Sequence, residues 1–180
     1  MEYHDRTPLK RLALIFALLV GASPALYAEV TADLRVKIML AALGFNRTLA
    51  AAPDAQVVVG VVGECPTYET LQAAAGKKIN GKTISVVKAA EMSYGYLEKA
   101  GINVVYLCKI SEADGKALIK ATARLGVVVL ADDPAWVSTH AIMGVKEQDG
   151  RPRLRLNTKI AKESKIEFDP RIFGAAEIVE

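Results

Sequence analysis

Histidine is scarce in this chain, with two among 180 residues. Only His140 lies outside the N-terminal segment, so one imidazole would have to carry any acid-base chemistry near neutral pH. No serine or acidic residue is paired with His140 in the sequence, which favours a structural histidine with satisfied hydrogen bonds. No other pairing of a nucleophile with a base is present. We therefore expect a binding or regulatory protein that is not an enzyme.

Motifs that hold phosphate groups are also missing. Gly60 and Gly63 do not have the glycine spacing of a dinucleotide-binding loop, and there is no phosphate-binding lysine motif. The formal net charge is +3, and it would be +2 without residues 1–28, which carry three basic and two acidic side chains. This balance is too small to indicate nucleic acid as a partner. No cofactor is predicted, and electrostatic recognition would have to come from local clusters of charge.

Long hydrophobic runs are confined to the N-terminus. Two basic residues precede the apolar run Leu12–Val20, and small residues follow, with cleavage positions after Ala25 and Ala28. This order is typical of a secretory signal peptide. An uncleaved anchor helix is the alternative, although the run is well short of the ~20 apolar residues that span a bilayer. We predict a signal peptide over residues 1–28 and one exported domain over residues 29–180, without stable membrane insertion after cleavage.

Beyond this segment, short apolar strands alternate with helices. A first helix begins at the capping residue Thr31 and keeps its apolar periodicity as far as Leu49. The predicted strands that follow are Gln56–Val62, Thr83–Val87, Asn103–Leu107 and Val127–Ala131. This alternation indicates an α/β fold, a single domain with a mostly parallel twisted sheet and helices on both faces. In a doubly wound sheet these four strands would take the order 2-1-3-4.

The C-terminal region departs from that alternation. Ala141–Glu147 and Arg151–Asn157 are predicted strands joined by an Asp149-Gly150 turn, and two short helical stretches follow. The C-terminal antiparallel hairpin is expected at one edge of the sheet.

Period-two alternation places four basic side chains of the hairpin on one face. These side chains are Lys146, Arg151, Arg153 and Arg155. One interpretation is a docking surface for an acidic partner or an anionic ligand, with Asn157 at the start of the following helix as a further candidate. The alternative is an exposed edge that basic residues protect from aggregation. Lys146 opposite Arg153 is unfavourable in itself, because like charges across a strand pair repel.

The two cysteines follow the ends of predicted parallel strands. Cys65 comes after the first strand and Cys108 after the third, and the expected strand order makes these strands neighbours. A disulfide is the interpretation that an oxidising compartment favours. Two buried free thiols and a redox pair are the alternatives, although no Cys-x-x-Cys motif is present.

Ligands of open α/β sheets bind at the carboxyl ends of the strands. In this chain those ends carry Glu64, Cys108, Asp132 and Asp133. A small-ligand-binding module that uses this rim is the second hypothesis for the function. The adjacent carboxylates could hold a divalent cation. However, Asp133 is explained as the cap of a helix that begins at Pro134 and Asp132 as a solvated loop residue, so no metal site is predicted.

The tail also resembles a known family. The run Gly144–Asn157 has a glycine-led strand, a turn with Gly-Arg and an alternating strand that ends in asparagine, and Ser164–Ala176 follows it. Earlier, Gly63-Glu-Cys-Pro66 follows a valine-rich strand, and a Val-Leu-x-x-Asp segment ends at Asp133. This pattern resembles the YfiR/HmsC-like family over about residues 31–179. The chain departs from the family after the first helix, where an aromatic-rich stretch closing in Trp-Pro is reduced to one aromatic residue and a proline.

The resemblance implies a periplasmic regulator of a Gram-negative bacterium, without enzymatic activity. Characterised relatives bind the periplasmic sensor domain of an inner-membrane diguanylate cyclase and hold it inactive, which lowers cyclic di-GMP signalling and biofilm formation. Related domains occur beside or within sensor histidine kinases. The resemblance further implies disulfides and a capacity to form homodimers. The basic side chains of the hairpin then become candidates for recognition of the inner-membrane sensor protein.

Overall fold

One eight-stranded sheet organises residues 30–180, the part of the chain that the computed structural model describes. The strands are β1 Gln56–Val62, β2 Lys78–Ile79, β3 Lys82–Lys88, β4 Val104–Leu107, β5 Val128–Ala131, β6 Met143–Gln148, β7 Arg151–Asn157 and β8 Ala176–Val179. Their order is β2-β3-β1-β4-β5-β6-β7-β8, so the four strands first predicted lie in the expected 2-1-3-4 order and are all parallel. The predicted signal peptide and its cleavage positions lie outside the described residues.

Helices cover both faces of this sheet, as predicted. They are α1 Ala32–Leu43, α2 Arg47–Ala51, α3 Tyr68–Gln72, α4 Tyr94–Lys99, α5 Glu112–Leu125 and α6 Thr158–Glu163, with 3₁₀-helices at Pro134–Ser138 and Pro170–Gly174. Alternate residues of β1 point to opposite faces, so Val57 packs with α1 while Val62 packs with α4 and α5. Two separate hydrophobic cores result. Within residues 30–180, no helix combines the length and the apolar character that crossing a membrane requires.

The first helix is shorter than the sequence predicts. It ends at Leu43, and α2 begins after Asn46, whose side-chain oxygen accepts a hydrogen bond from the Leu49 N–H at 2.7 Å. The interruption has a tertiary cause. The Arg47 N–H donates to the carbonyl of Glu167 at 2.8 Å, and the Asp169 N–H donates to the carbonyl of Phe45 at 2.8 Å. The C-terminal segment thus takes up backbone groups that a continuous helix would have used internally.

Strand β8 is the element that the sequence analysis missed. After α6 and a 3₁₀-helix, where only helical stretches were predicted, β8 pairs in parallel with Leu154–Asn157 of β7. The predicted hairpin β6–β7 is confirmed. It does not form the edge of the sheet, because β8 lies outside β7. This strand has only four residues, and a crossover connection joins it to its parallel partner. No tight turn in the sequence therefore indicates its presence.

The hairpin has the predicted register. Gln148 lies opposite Arg151, and Lys146 lies opposite Arg153. Asp149 and Gly150 have φ values of 53° and 70°, the left-handed conformations that a two-residue type I′ turn requires. The Asp-Gly dipeptide thus sets the register locally, and the register sets which side chains share a face.

Candidate functional site

The carboxyl ends of β1, β4 and β5 meet at one margin of the sheet, which we call the rim. Val62 pairs with Leu107, and Leu107 pairs with Ala131, so the three strands end level with one another. The residues that follow each strand are consequently brought together. They include the candidate ligand residues Glu64, Asp132 and Asp133 and the two cysteines.

A disulfide joins two of these strand ends. Cys65 and Cys108 are bonded, with a Cα–Cα distance of 5.1 Å and a sequence separation of 43. The disulfide interpretation is therefore confirmed, and the alternative of two free thiols is excluded, because the chain has only these two cysteines. The cross-link ties the segment after β1 to the segment after β4.

Asp132 is the centre of a hydrogen-bond network beneath the rim. Its Oδ1 accepts hydrogen bonds from Arg35 Nη1 at 2.9 Å, Thr67 Oγ1 at 2.7 Å and Tyr106 Oη at 2.8 Å. The carboxylate is mostly buried, with 21% of the side chain exposed. The interpretation of Asp132 as a solvated loop residue is therefore wrong, because three donors from distant parts of the chain hold it in place.

Tyr106 supports this network from the core. The side chain is fully buried, and burial together with the neighbouring Asp132 carboxylate raises the pKa of its hydroxyl well above the usual range. The phenol consequently stays protonated and donates to Asp132 across the whole physiological pH range. The network therefore fixes the position of the Asp132 carboxylate at the rim.

An open cleft of about 590 Å³ lies over the rim. The disulfide, Ile110 and Trp136 form its apolar walls, while Glu64, Lys109 and the two adjacent aspartates supply polar groups. Asp133 also accepts a hydrogen bond from the Ala135 N–H at 2.8 Å, which confirms its predicted role as the cap of the helix at Pro134. Across residues 30–180, no three His, Cys, Asp or Glu side chains are grouped so that they could hold a metal ion.

His140 is a buried structural residue beside this cleft. It is 3% exposed, its Nδ1 lies 2.6 Å from Thr139 Oγ1, and its Nε2 lies 3.5 Å from a carboxylate oxygen of Glu112. Its ring meets the edge of the Trp136 indole, with 4.8 Å between the ring centroids. Gly115 of α5 makes room for both rings, since a Cβ there would lie 2.8 Å from Trp136 Cζ3. The indole thus packs against His140 and against the backbone of α5 at Gly115.

The second candidate site is the outer part of the hairpin, residues 145–153, which we call the ribbon. β5 pairs with β6 only at Met143 and Gly144, and β8 pairs with β7 only from Leu154 onward. The ribbon therefore extends past both neighbouring strands. Its apolar face is packed, because Val145 is buried in the same core as α1.

The four basic side chains of the hairpin fall into two pairs. Glu177 of β8 lies between Lys146 and Arg155, at 2.5 Å from Lys146 Nζ and 3.4 Å from Arg155 Nε. The hydrogen bond from Lys146, more than the charge of Arg155, lowers the pKa of the Glu177 carboxyl. Arg151 and Arg153 are exposed, and neither has an acidic partner in the described part of the chain. Glu177 was not predicted as a partner of these side chains, because strand β8 was not predicted.

Pro152 limits what the outer edge of the ribbon can bind. The Asn157 N–H donates to the Ile142 carbonyl at 2.8 Å, so alternate N–H groups from Asn157 back to Arg151 point toward β6. The N–H groups between them point to the β8 side, and Pro152 occupies one of those positions beyond the end of β8. Proline has no N–H, so this edge is a poor template for an added strand. Recognition by the ribbon would depend on its side chains.

Asn157 lies apart from these exposed cations. It is 2% exposed, its Nδ2 donates to the Val137 carbonyl at 2.7 Å, and its Oδ1 accepts from the Ile160 N–H at 2.8 Å. The side chain therefore caps α6 and fastens it to the 3₁₀-helix at Pro134. Its hydrogen-bonding groups are used within the fold.

Fold and sites together define a single-sheet α/β protein, cross-linked at the carboxyl ends of its parallel strands and carrying a projecting basic ribbon. The profile of the YfiR/HmsC-like family matches residues 32–177. The chain therefore belongs to the YfiR/HmsC-like family, which is known for periplasmic regulators. The disulfide fits an exported protein, because disulfides persist in oxidising compartments.

The fold is also similar to a solved structure, the crystal structure of a conserved domain protein from Vibrio cholerae O1 biovar El Tor str. N16961. The two chains are 14% identical, with a TM-score of 0.53 over 83% of this chain. The chain spans only 60% of the length of that protein, and the likeness concerns the fold alone. No curated protein matches the sequence significantly.

Proposed function

We propose that this chain is a periplasmic regulator without enzymatic activity. In this proposal it binds the sensor domain of an inner-membrane signalling protein, a diguanylate cyclase or a histidine kinase. Binding modulates the output of that protein, such as cyclic di-GMP synthesis and the biofilm formation that depends on it. Membership of the YfiR/HmsC-like family supports the regulatory class.

The ribbon carries the proposal of a protein partner. Arg151 and Arg153 are exposed and point from the same face of β7, while the other two hairpin cations are neutralised in part by Glu177. A pair of free guanidinium groups on a projecting, well-registered ribbon suits recognition of carboxylates on another protein, since arginine binds carboxylates in a planar, bidentate manner. Because Pro152 disfavours strand addition, we assign recognition to these side chains.

The test compares two charge reversals that lie toward opposite edges of the sheet. Arg151→Glu/Arg153→Glu changes the ribbon, and Lys77→Glu/Lys78→Glu makes the same change in charge at exposed residues by the far edge strand β2. The free energy of unfolding of both variants should stay within about 0.5 kcal/mol of that of the natural protein, because only exposed residues are replaced. Crosslinking in the periplasm followed by mass spectrometry then identifies the membrane proteins bound by each variant.

We expect the natural protein and the Lys77→Glu/Lys78→Glu variant to recover the same membrane cyclase or kinase. The Arg151→Glu/Arg153→Glu variant should no longer recover this membrane protein, and its output should no longer be modulated by the chain. Equal recovery by both variants would remove the ribbon from the interface, and a recovery without any membrane signalling protein would contradict the proposed function. Formation of a homodimer stays a prediction that sedimentation equilibrium of the purified chain would test.

A further inference from the structure

The cleft over the rim is a built site rather than a surface irregularity. It lies where three parallel strands end side by side, the place at which open α/β sheets bind their ligands. Its volume of about 590 Å³ is sufficient for a small organic molecule. The ribbon and its proposed protein partner do not involve these residues, so an occupant of the cleft is a separate question.

The walls of the cleft are apolar and held in place. The disulfide forms one part, and the half-buried Trp136 indole, wedged against Gly115 and His140, forms another. Trp136 is the only tryptophan of the chain. An aromatic face beside a fixed apolar wall suits the hydrocarbon part of a ligand, and an indole also attracts cations.

One polar group at the cleft is oriented in advance. All three hydrogen bonds to Asp132 arrive at Oδ1, and no donor among residues 30–180 is bonded to Oδ2. A carboxylate whose position is fixed through one oxygen can offer the other to a ligand without losing side-chain freedom on binding. Asp132 is thus suited to accept a hydrogen bond from an occupant.

The charged residues around the cleft favour an occupant with a positive charge. Asp132 is paired with Arg35. The other charged residues that line the cleft are two acidic side chains, Glu64 and Asp133, and one basic side chain, Lys109. The adjoining hollow on the other side of Glu64 adds Glu91 and Asp114 and no further basic residue. The excess of negative charge favours a cation. The acidic side chains do not converge into a metal-binding group in the described region, so the cation is an organic one.

We propose that this cleft binds a small organic ammonium ion with an apolar or aromatic body. The ammonium group lies near Asp132, Asp133 and Glu64, and the hydrocarbon body packs on Trp136 and Ile110. The inference is independent of the proposed protein partner, because it uses the opposite charge on a different part of the sheet.

The single tryptophan makes the test direct. Phenethylamine is titrated into the purified chain while the emission of Trp136 is recorded, and phenethyl alcohol, which has a similar shape and no charge, is titrated in parallel. We expect a saturable change with the amine that weakens as salt is added, and a much weaker response to the alcohol. A response of equal strength to both compounds, or no saturable response to the amine, would overturn the proposal.

Charge-neutral variants locate the site. Glu64→Gln and Asp133→Asn should each raise the Kd for phenethylamine by about threefold, the range of a partly exposed ion pair. Asp133→Asn keeps an oxygen for the Ala135 N–H, and both variants should keep the natural urea midpoint. Glu163→Gln, an exposed residue of α6 outside the cleft, is the matched control and should leave Kd unchanged.

Two results of this series would contradict the proposal. If all three variants bound phenethylamine equally, the amine would be binding away from the rim. If a capped lysine peptide bound much more tightly than phenethylamine, the cleft would be a receptor for a side chain of another protein instead of a small free amine.

Discussion

The rim and the ribbon belong to one sheet but are stabilised in different ways. The rim joins segments that are far apart in sequence, through the disulfide and through the hydrogen bonds that converge on Asp132. The ribbon is held by its local turn and register and extends past both neighbouring strands. Because they share none of these stabilising contacts, we expect changes in the acidic, cross-linked cleft to leave the projecting basic ribbon intact, and the reverse.

Removal of the disulfide is the change with the largest expected effect. In Cys65→Ala/Cys108→Ala the unfolded chain regains the freedom of a loop closed across 43 residues. We expect the free energy of unfolding in urea to fall by about 2–4 kcal/mol. The ribbon should keep its register, because no part of it is cross-linked.

The matched control is Arg153→Ala on the ribbon, which should change the free energy of unfolding by less than about 0.5 kcal/mol. A loss of less than about 1 kcal/mol in the double cysteine variant would show that the hydrogen-bond network, rather than the cross-link, holds the rim.

Removal of one donor to Asp132 should have an intermediate effect. Tyr106→Phe deletes a buried hydroxyl that donates to the carboxylate at 2.8 Å. Hydrogen bonds to charged groups contribute about 1.5–3 kcal/mol, and we expect a loss of that size in urea unfolding. Tyr96→Phe is the control, because the Tyr96 hydroxyl only accepts an exposed backbone N–H at 3.2 Å. Equal losses in the two variants would mean that the Asp132 network contributes little.

The ion pair beside the ribbon should give the smallest effect, and it should depend on pH. Lys146 lowers the pKa of Glu177 in the folded protein, so the pair stabilises the fold above the unfolded glutamate pKa of about 4.3. That contribution is lost as the pH falls through the lowered, folded pKa. Glu177→Gln should therefore cost about 0.2–1 kcal/mol at neutral pH and almost nothing in strong acid.

Unfolding of the natural protein and the Glu177→Gln variant at the two pH values measures this difference. A difference that persists unchanged in acid would show that Glu177 acts through packing and not through its charge.

The features that could be predicted from the sequence are mainly those that depend on residues close together in the chain. The Asp149-Gly150 turn, the register of the hairpin and the cap at Asp133 each depend on neighbouring residues, and all three are present in the structure. The strand order followed from the alternation of strands and helices, and that order, together with the expected export, favoured the disulfide.

The missed features all depend on distant pairing. Strand β8 exists because β7 offers it an edge, and Glu177 could not be linked to the hairpin without that strand. The donors to Asp132 come from α1, from the residue before α3 and from β4, which no local pattern connects. The sequence therefore indicated the rim residues but not the network that orients them.

The interruption between α1 and α2 also bears on the order in which the chain can fold. Phe45 and Arg47 form backbone hydrogen bonds with Asp169 and Glu167, across more than a hundred residues of intervening chain. A polypeptide that emerges from the ribosome or a translocation pore one residue at a time must therefore leave this junction unpaired until almost the whole domain has appeared. Early segments stay incomplete, and the last segments to emerge complete the fold.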